Sequence, residues 1–146
     1  MNLTRGISRE LLLQLKKAYG AGVKKWQIII DPGVGFAKNM HQNIAIIRNA
    51  SFFKKYSVLI NERESDHVSH SYLSFNGLPT LIGTSRKQFI GVITQQPVAS
   101  DRVIGTAATA VACIEQHTDI LRVHDVAEIK ASCRMGDAIY RGIVPE

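Results

Sequence analysis

Three segments of this chain carry polar groups able to do chemistry, each at the end of an apolar run. Trp26 to Lys38 (WQIIIDPGVGFAK) follows a buried-looking strand with a carboxylate, a proline, two glycines and a lysine. Thr80 to Lys87 (TLIGTSRK) ends in hydroxyl and basic groups, and Asp119 to Asp125 (DILRVHD) ends in Arg, His and Asp. Parallel α/β folds build their sites from polar groups at the carboxyl ends of strands. The three strand ends are therefore expected to converge on one polar face.

Asp31, followed by Pro32 and Gly33, belongs at a strand tip, because proline lacks a ladder donor and glycine invites a turn. A carboxylate there can accept two parallel N–H bonds, the geometry that reads a guanidine-like edge such as the amino-pyrimidinone of a pterin or of guanine. The same carboxylate could equally cap the following turn. Gly33 and Gly35 let a ligand touch backbone, but they do not extend to the dinucleotide-binding pattern. Ser85, Arg86 and Lys87 follow Gly83, and a solvated cation pair there is disfavoured at the positive end of a helix dipole. Lys87 could instead bond a ring carbonyl or nitrogen, or anchor an anion. Arg122 and His124 alternate with Leu121 and Val123, so period-two geometry sends both to one side. That makes a phosphate or pyrophosphate clamp, with His124 also able to give a proton to a leaving oxygen; a lone strand histidine is otherwise usually structural. Ser85 shows no His/Asp relay, so a serine nucleophile is not supported. Asp66, His67 and His70 suggest a metal site, but they sit in an aperiodic stretch without a strong partner, and no metal ligands are assigned.

The elements that must position these groups read as helix, strand, helix, strand, helix, strand, helix. Ser8 caps a first helix to about Tyr19, with Leu11, Leu12, Leu15 and Ala18 as its core stripe and Gly20 and Gly22 as its stop. A strand over 26–31 follows, then a helix starting at Asn39 or Asn43 that carries Ile44, Ile47 and Ala50. Asn61 to Pro79 is polar and aperiodic, a surface insertion. A strand over 80–83 leads to a short helix or turn over 86–93. Ser100 or Asp101 caps a helix whose Ala- and Thr-rich stretch from Gly105 to Cys113 suits close packing. The third strand spans 119–123. The last helix, 126–140, offers Ala127, Ile129, Ala131 and Met135 to the core. Such alternation means parallel pairing through crossovers.

Composition limits the alternatives. With 146 residues, 45% of them hydrophobic, the chain can bury a single-domain core. Its net charge of +6 suits anionic partners such as phosphate esters. The basic residues come as pairs, Lys16-Lys17, Lys24-Lys25 and Lys54-Lys55, without interleaved aromatics, so they read as solvated helix faces and no nucleic acid is expected. Cys113 and Cys133 lack metal or redox spacing and a secretory signal precedes neither, which places reduced thiols in an intracellular protein. The compartment, cytoplasm or mitochondrion, stays open. Glu10 breaks the acid-poor character of a targeting helix, and no apolar run is long enough to cross a bilayer.

These motifs together, IIIDPGVGFAK, LIGTSRKQFIG, the SDR and GTAAT segments and ILRVHDV, occur in one order, and in that order the chain resembles dihydropteroate synthase. The ending MGDAIYRG is most similar to fungal enzymes, in which this domain closes a larger folate-synthesis polypeptide behind aldolase and pyrophosphokinase domains. The resemblance implies that 4-aminobenzoate condenses with 6-hydroxymethyl-7,8-dihydropterin diphosphate, giving 7,8-dihydropteroate and pyrophosphate. It implies further that Asp31 and Lys87 hold the pterin ring. Gly35, Phe36, Ser85 and Arg86 would line the aminobenzoate pocket, together with the variable residue after Lys87, here Gln88. Arg122 and His124 would bind the leaving pyrophosphate, magnesium is expected with that pyrophosphate, and a homodimer through the late helices is implied too. His124, Arg122 and Lys87 are the catalytic candidates.

The family's barrel has eight strands, which takes about 250 residues, and this chain shows three. The expectation is thus the C-terminal portion of a TIM (β/α)8 barrel, incomplete: residues 1–146 as a partial pterin-binding domain carrying a surface insertion over 61–79. The family's early strand ends, with an Asn associated with the metal and pyrophosphate, have no counterpart here, so little or no synthase activity is expected of the chain alone. Two other readings remain, a pterin-binding barrel that transfers a methyl group from methyltetrahydrofolate and a non-catalytic remnant.

Overall fold

Amphipathic spacing sets the first element. The computed structural model describes residues 3–64 and 67–144. In it α1 (Leu3–Gly20) buries Leu12 and Leu15 while Leu13, Lys16 and Lys17 are exposed, one apolar face at helical period. The helix begins well before Ser8, which is fully buried inside it and is not its cap. The physical reason is that Leu3 and Ile7 carry the apolar line of Leu11 toward the N-terminus and pack against the core.

The strand expected over 26–31 contracts to one residue. Lys25–Gln27 form a 3-10 turn, Trp26 is exposed, and Ile30 makes a parallel bridge to Thr80. Its N–H donates to Pro79 O and its carbonyl accepts from Leu81 N–H, both at 2.8 Å. Next, α2 (Met40–Arg48) starts at Asn39, whose Oδ1 accepts from Gln42 N–H while Gln42 Oε1 accepts from Asn39 N–H, each at 2.9 Å. This reciprocal capping box satisfies two donors that a helix start leaves orphaned. A single turn, α3 (Phe52–Lys55), follows.

Where an aperiodic insertion over 61–79 was expected, the chain forms an antiparallel hairpin that starts earlier. Strands β1 (Ser57–Glu64) and β2 (His67–Ser74) pair in register from Ser57↔Ser74 to Glu64↔His67. A ribbon is held by backbone bonds, so a polar sequence without an apolar period can form one and leave no hydrophobic trace. At its base Val58 and Leu73 pack on the core with Tyr56.

The parallel pairing continues with β3 (Leu81–Ile82). It is followed by α4 (Gln88–Thr94), a 3-10 turn over Ala99–Arg102, α5 (Val103–Glu115), β4 (Ile120–Leu121) and α6 (Val126–Arg141). Strands β3 and β4 pair as Leu81↔Ile120 and Ile82↔Leu121, so the order across the sheet is Ile30, β3, β4. The strands expected over 80–83 and 119–123 are present but short, and α5 begins directly from the 3-10 turn that holds Ser100 and Asp101.

Two apolar clusters fill the interior. Val34, Ile46, Ile47, Phe53, Ile82, Phe89, Ile90 and Cys113 bind α2, α3, α4 and α5 to the sheet, and Leu12, Leu15, Ile30, Phe75 and Leu78 bind α1 to the hairpin base. Burying one such ring or branched side chain contributes about 1.5–3 kcal/mol. The small residues of α5 do permit close approach: a side chain at Gly105 would start 2.4 Å from Ile90. In α6 the expected core face is wrong for three of its four residues. Ile129 is buried, whereas Ala127, Ala131 and Met135 are exposed, because Ile129 and Gly136 are the residues that turn toward the interior and Gly136 fits against Ile114 of α5.

Candidate active site

The loop after Ile30 is wound by its own polar groups. Asp31 Oδ1 accepts from Gly33 N–H at 2.8 Å, so one carboxylate oxygen does cap the turn. The other has no hydrogen-bond partner among the described residues and is open to a ligand. Gly33 and Gly35 take positive φ, 70° and 84°, and Ala37 takes 46°. The Lys38 ammonium ties the loop by donating to Gly33 O at 2.8 Å and Phe36 O at 3.1 Å. From α2, Asn43 Oδ1 accepts from Gly35 N–H at 2.7 Å, and its Nδ2 donates to Lys38 O at 3.3 Å. Asn43 is buried and is a loop-holding residue that the sequence showed only as a possible helix start.

Lys87 crosses onto this loop from the start of α4. Its ammonium donates to Val34 O and lies 4.7 Å from the centre of the Phe36 ring, a cation–π contact. A side chain at Gly35 would begin 2.5 Å from Lys87 Cδ, so the glycine is the seat of the lysine. Burial holds the Lys87 ammonium below its ordinary pKa; Asp31 opposes that shift, while Arg122 and Lys38 add to it. Those four charges therefore share one neighbourhood.

Beside them opens a cleft of about 350 Å³, bounded by Phe36, Met40, Phe89 and Val92 on its apolar sides and by Lys87 and Gln88 on its polar one. That volume is at the small end for ligand sites, enough for an aromatic ring system. Of the residues expected in the site, Gly35, Phe36, Lys87 and Gln88 line it.

The other expected residues gather between the β3 and β4 strand ends. His124 N–H donates to Ser85 Oγ at 3.1 Å, and its ring Nδ1 lies 3.0 Å from the same oxygen. Arg86 pairs with Asp125 on two edges: Nε donates to Oδ2 at 3.0 Å, and Nη2 meets Oδ1. That pairing, first through the hydrogen bond to Arg86, holds the Asp125 carboxyl below its ordinary pKa. Arg86 itself has a φ of 59°; its N–H donates to Thr106 Oγ1 at 3.1 Å and its carbonyl accepts from Arg102 at 2.8 Å. Its guanidinium thus ties two loops together, which the sequence did not reveal, since nothing local links positions 86 and 125. Arg122 is exposed, runs along Gly83, and has no ion-pair partner among the described residues.

Asp66 and the side chains of His67 and His70 lie outside what is described. Among the described residues no cluster of three metal-ligating side chains occurs, and Asp125 is already engaged by Arg86. Nor is any described helix long and apolar enough to cross a membrane.

The three strand ends, the glycine-seated lysine and an arginine with no ion-pair partner among the described residues suit a small-ligand site of the β/α type. Residues 1–124 match the family described as pterin binding enzyme, and the chain belongs to that family. It is 42% identical to "Folic acid synthesis protein fol1" of Pneumocystis carinii over 94% of its own length and 16% of that protein's. It is 39% identical to the dihydropteroate synthase of Synechocystis over 88% of itself and 37% of the relative. Among solved structures, a dihydropteroate synthase from Clostridium difficile, determined in the presence of pteroic acid, superposes with a TM-score of 0.77 at 37% identity, over 97% of this chain and 46% of that one. The likeness assigns these β/α units to a TIM-barrel-type fold. The chain spans less than half the length of each of these relatives.

Proposed function

We propose that the chain carries the C-terminal β/α units, and with them part of the active site, of a dihydropteroate synthase. The observation that carries this is Lys87 seated on Gly35 beside an aromatic-sized cleft, with Asp31 and an unpartnered Arg122 in the same electrostatic neighbourhood. In this reading the free oxygen of Asp31 accepts from the amino-pyrimidinone edge of the pterin. Lys87 exchanges its bond to Val34 O for a ring carbonyl or nitrogen, and the aminobenzoate lies in the cleft against Phe36. Arg122 and His124 take the diphosphate.

The reaction is a substitution at the exocyclic methylene. The arylamine nitrogen forms the C–N bond, the C–O bond to the diphosphate breaks with its electron pair, and the amine proton is lost to solvent or the departing anion. No protein nucleophile is needed, so alignment and stabilisation of the leaving charge supply the rate. Magnesium would arrive with the diphosphate, and no step here is routed through it. A second copy of the chain is the proposed partner of the exposed α6 line described above, and longer parent proteins would supply the remaining strands. The two other expectations, methyl transfer and a non-catalytic remnant, gain no observation from the structure.

Titrating the chain with 6-hydroxymethylpterin by calorimetry tests the reading. Asp31→Ala and Lys87→Ala should each lower affinity by about tenfold or more, since each leaves ligand donors or acceptors without their protein partner. Equal affinity in wild type and both variants would overturn it.

A further inference from the structure

We propose that Ser85 is a positioning residue that fixes the tautomer of His124, so that the neutral ring presents its Nε2–H as a donor toward the diphosphate. The Ser85 hydroxyl is buried, and its oxygen already accepts from the backbone N–H of His124 at 3.1 Å. A serine hydroxyl has one proton to place. The other group within reach among the described residues is the Nδ1 of the same histidine, at 3.0 Å.

If Nδ1 carried the ring proton it would point at that oxygen, and the buried hydroxyl proton would be left without an acceptor. Buried donors are rarely left so. The hydroxyl therefore donates to the Nδ1 lone pair, and the proton of the neutral ring is on Nε2. This selection of one nitrogen by a bond to the other is general for histidine.

The backbone bond adds a positional constraint to the electronic one. One oxygen holds both the main chain and the ring of His124, so the ring cannot turn over without breaking its tie to the β3 end. The neighbouring Arg86–Asp125 pair joins the same two loops one residue further on and keeps Ser85 opposite His124. A phosphoryl oxygen placed between Arg122 and His124 would then meet a guanidinium and an Nε2–H, both donors.

This deepens the proposed function, on which its diphosphate part rests, and the measurement separates the two. Long-range ¹H–¹⁵N spectra of the full chain, in the neutral range of the ring, report which imidazole nitrogen of His124 is protonated. Wild type and Ser85→Thr should show Nε2–H as the sole form, and Ser85→Ala should show a mixture. Inorganic pyrophosphate should shift the His124 Nε2 resonance and bind about tenfold more weakly to Ser85→Ala. His124→Ala should show a similar loss, and the double variant no further one. A wild-type Nδ1–H form, or the same ratio in Ser85→Ala, overturns the tautomer assignment, and the wild-type spectrum alone suffices if the alanine variant does not fold. If pyrophosphate leaves the spectrum unmoved while the tautomer is as stated, it is the synthase reading and the donor role toward phosphate that fall.

Discussion

Gly35 has its identity because another residue occupies the space its side chain would need. At φ 84°, with Lys87 Cδ 2.5 Å from the site of a Cβ, alanine is opposed both by backbone geometry and by the lysine. Gly35→Ala should cost about 1–3 kcal/mol and displace Lys87, so that pterin affinity falls as far as in Lys87→Ala; a variant with unaltered affinity would separate the glycine from the site. Asp119 makes a different test, because it is used at the opposite strand ends. Burial pushes its carboxyl up, but Lys54 at 2.7 Å and Thr80, through N–H at 2.7 Å and hydroxyl at 3.0 Å, outweigh that and hold it below its ordinary value. A depressed carboxyl stabilises the fold above its unfolded pKa of about 3.9 and loses that contribution as pH falls through the folded value. In urea melts, wild type should therefore exceed Asp119→Asn at pH 7, and the difference should vanish toward pH 2. A gap that stays constant with pH would show that the pair contributes nothing through ionisation. Lys54 was read as one of a solvated pair, and its partner, 65 residues away, is what sequence proximity cannot display. Cys113, by contrast, ends the stretch read as suited to close packing; it is buried, and burial pushes its pKa up to about 12.

At the scale of elements, legibility followed period. The stripe of α1 was readable because side chains three or four apart share a face, and of the two starts read for α2, Asn39 and Asn43, the first is the cap. Strands of two residues carry almost no pattern, and here they were found through the polar groups at their ends. The hairpin was missed because Ser57 to Ser74 has little apolar alternation. The α6 face was misplaced for a related reason: Ala131, Met135 and Ile139 keep a perfect four-residue spacing, yet Met135 and Ile139 are each 60% exposed. Period reveals that a face exists and leaves open what covers it. Within the candidate site, Gly35, Phe36 and Lys87 were legible from their position after strands, whereas Asn43 and the Arg86–Asp125 tie depend on contacts between separate loops.

The whole molecule exposes 9465 Å², while a compact monomer of its 16.1 kDa exposes about 7400 Å². Part of the excess is apolar: Trp26 and Ile29 beside the one-sided Ile30 bridge, and the α6 line. Such edges and faces favour association. Sedimentation velocity should show a dimer or larger species that dissociates in Met135→Lys, and a wild-type chain that stays monomeric at tens of micromolar would count against that face. The hairpin matters for the way it joins the body. Its two ends enter and leave the body as neighbours, Ser57 opposite Ser74, and paired residues of a ribbon are about 4.5–5.5 Å apart. Residues 60–71 can therefore be excised and Leu59 joined to Tyr72 through an Asn-Gly turn, with the Val58 and Leu73 anchors kept. The shortened protein should melt within about 1 kcal/mol of the original and keep its pterin affinity. By the same geometry this is a socket: a reporter, an affinity tag or a whole guest domain with close termini could be plugged in there, leaving the chemistry of the strand ends untouched.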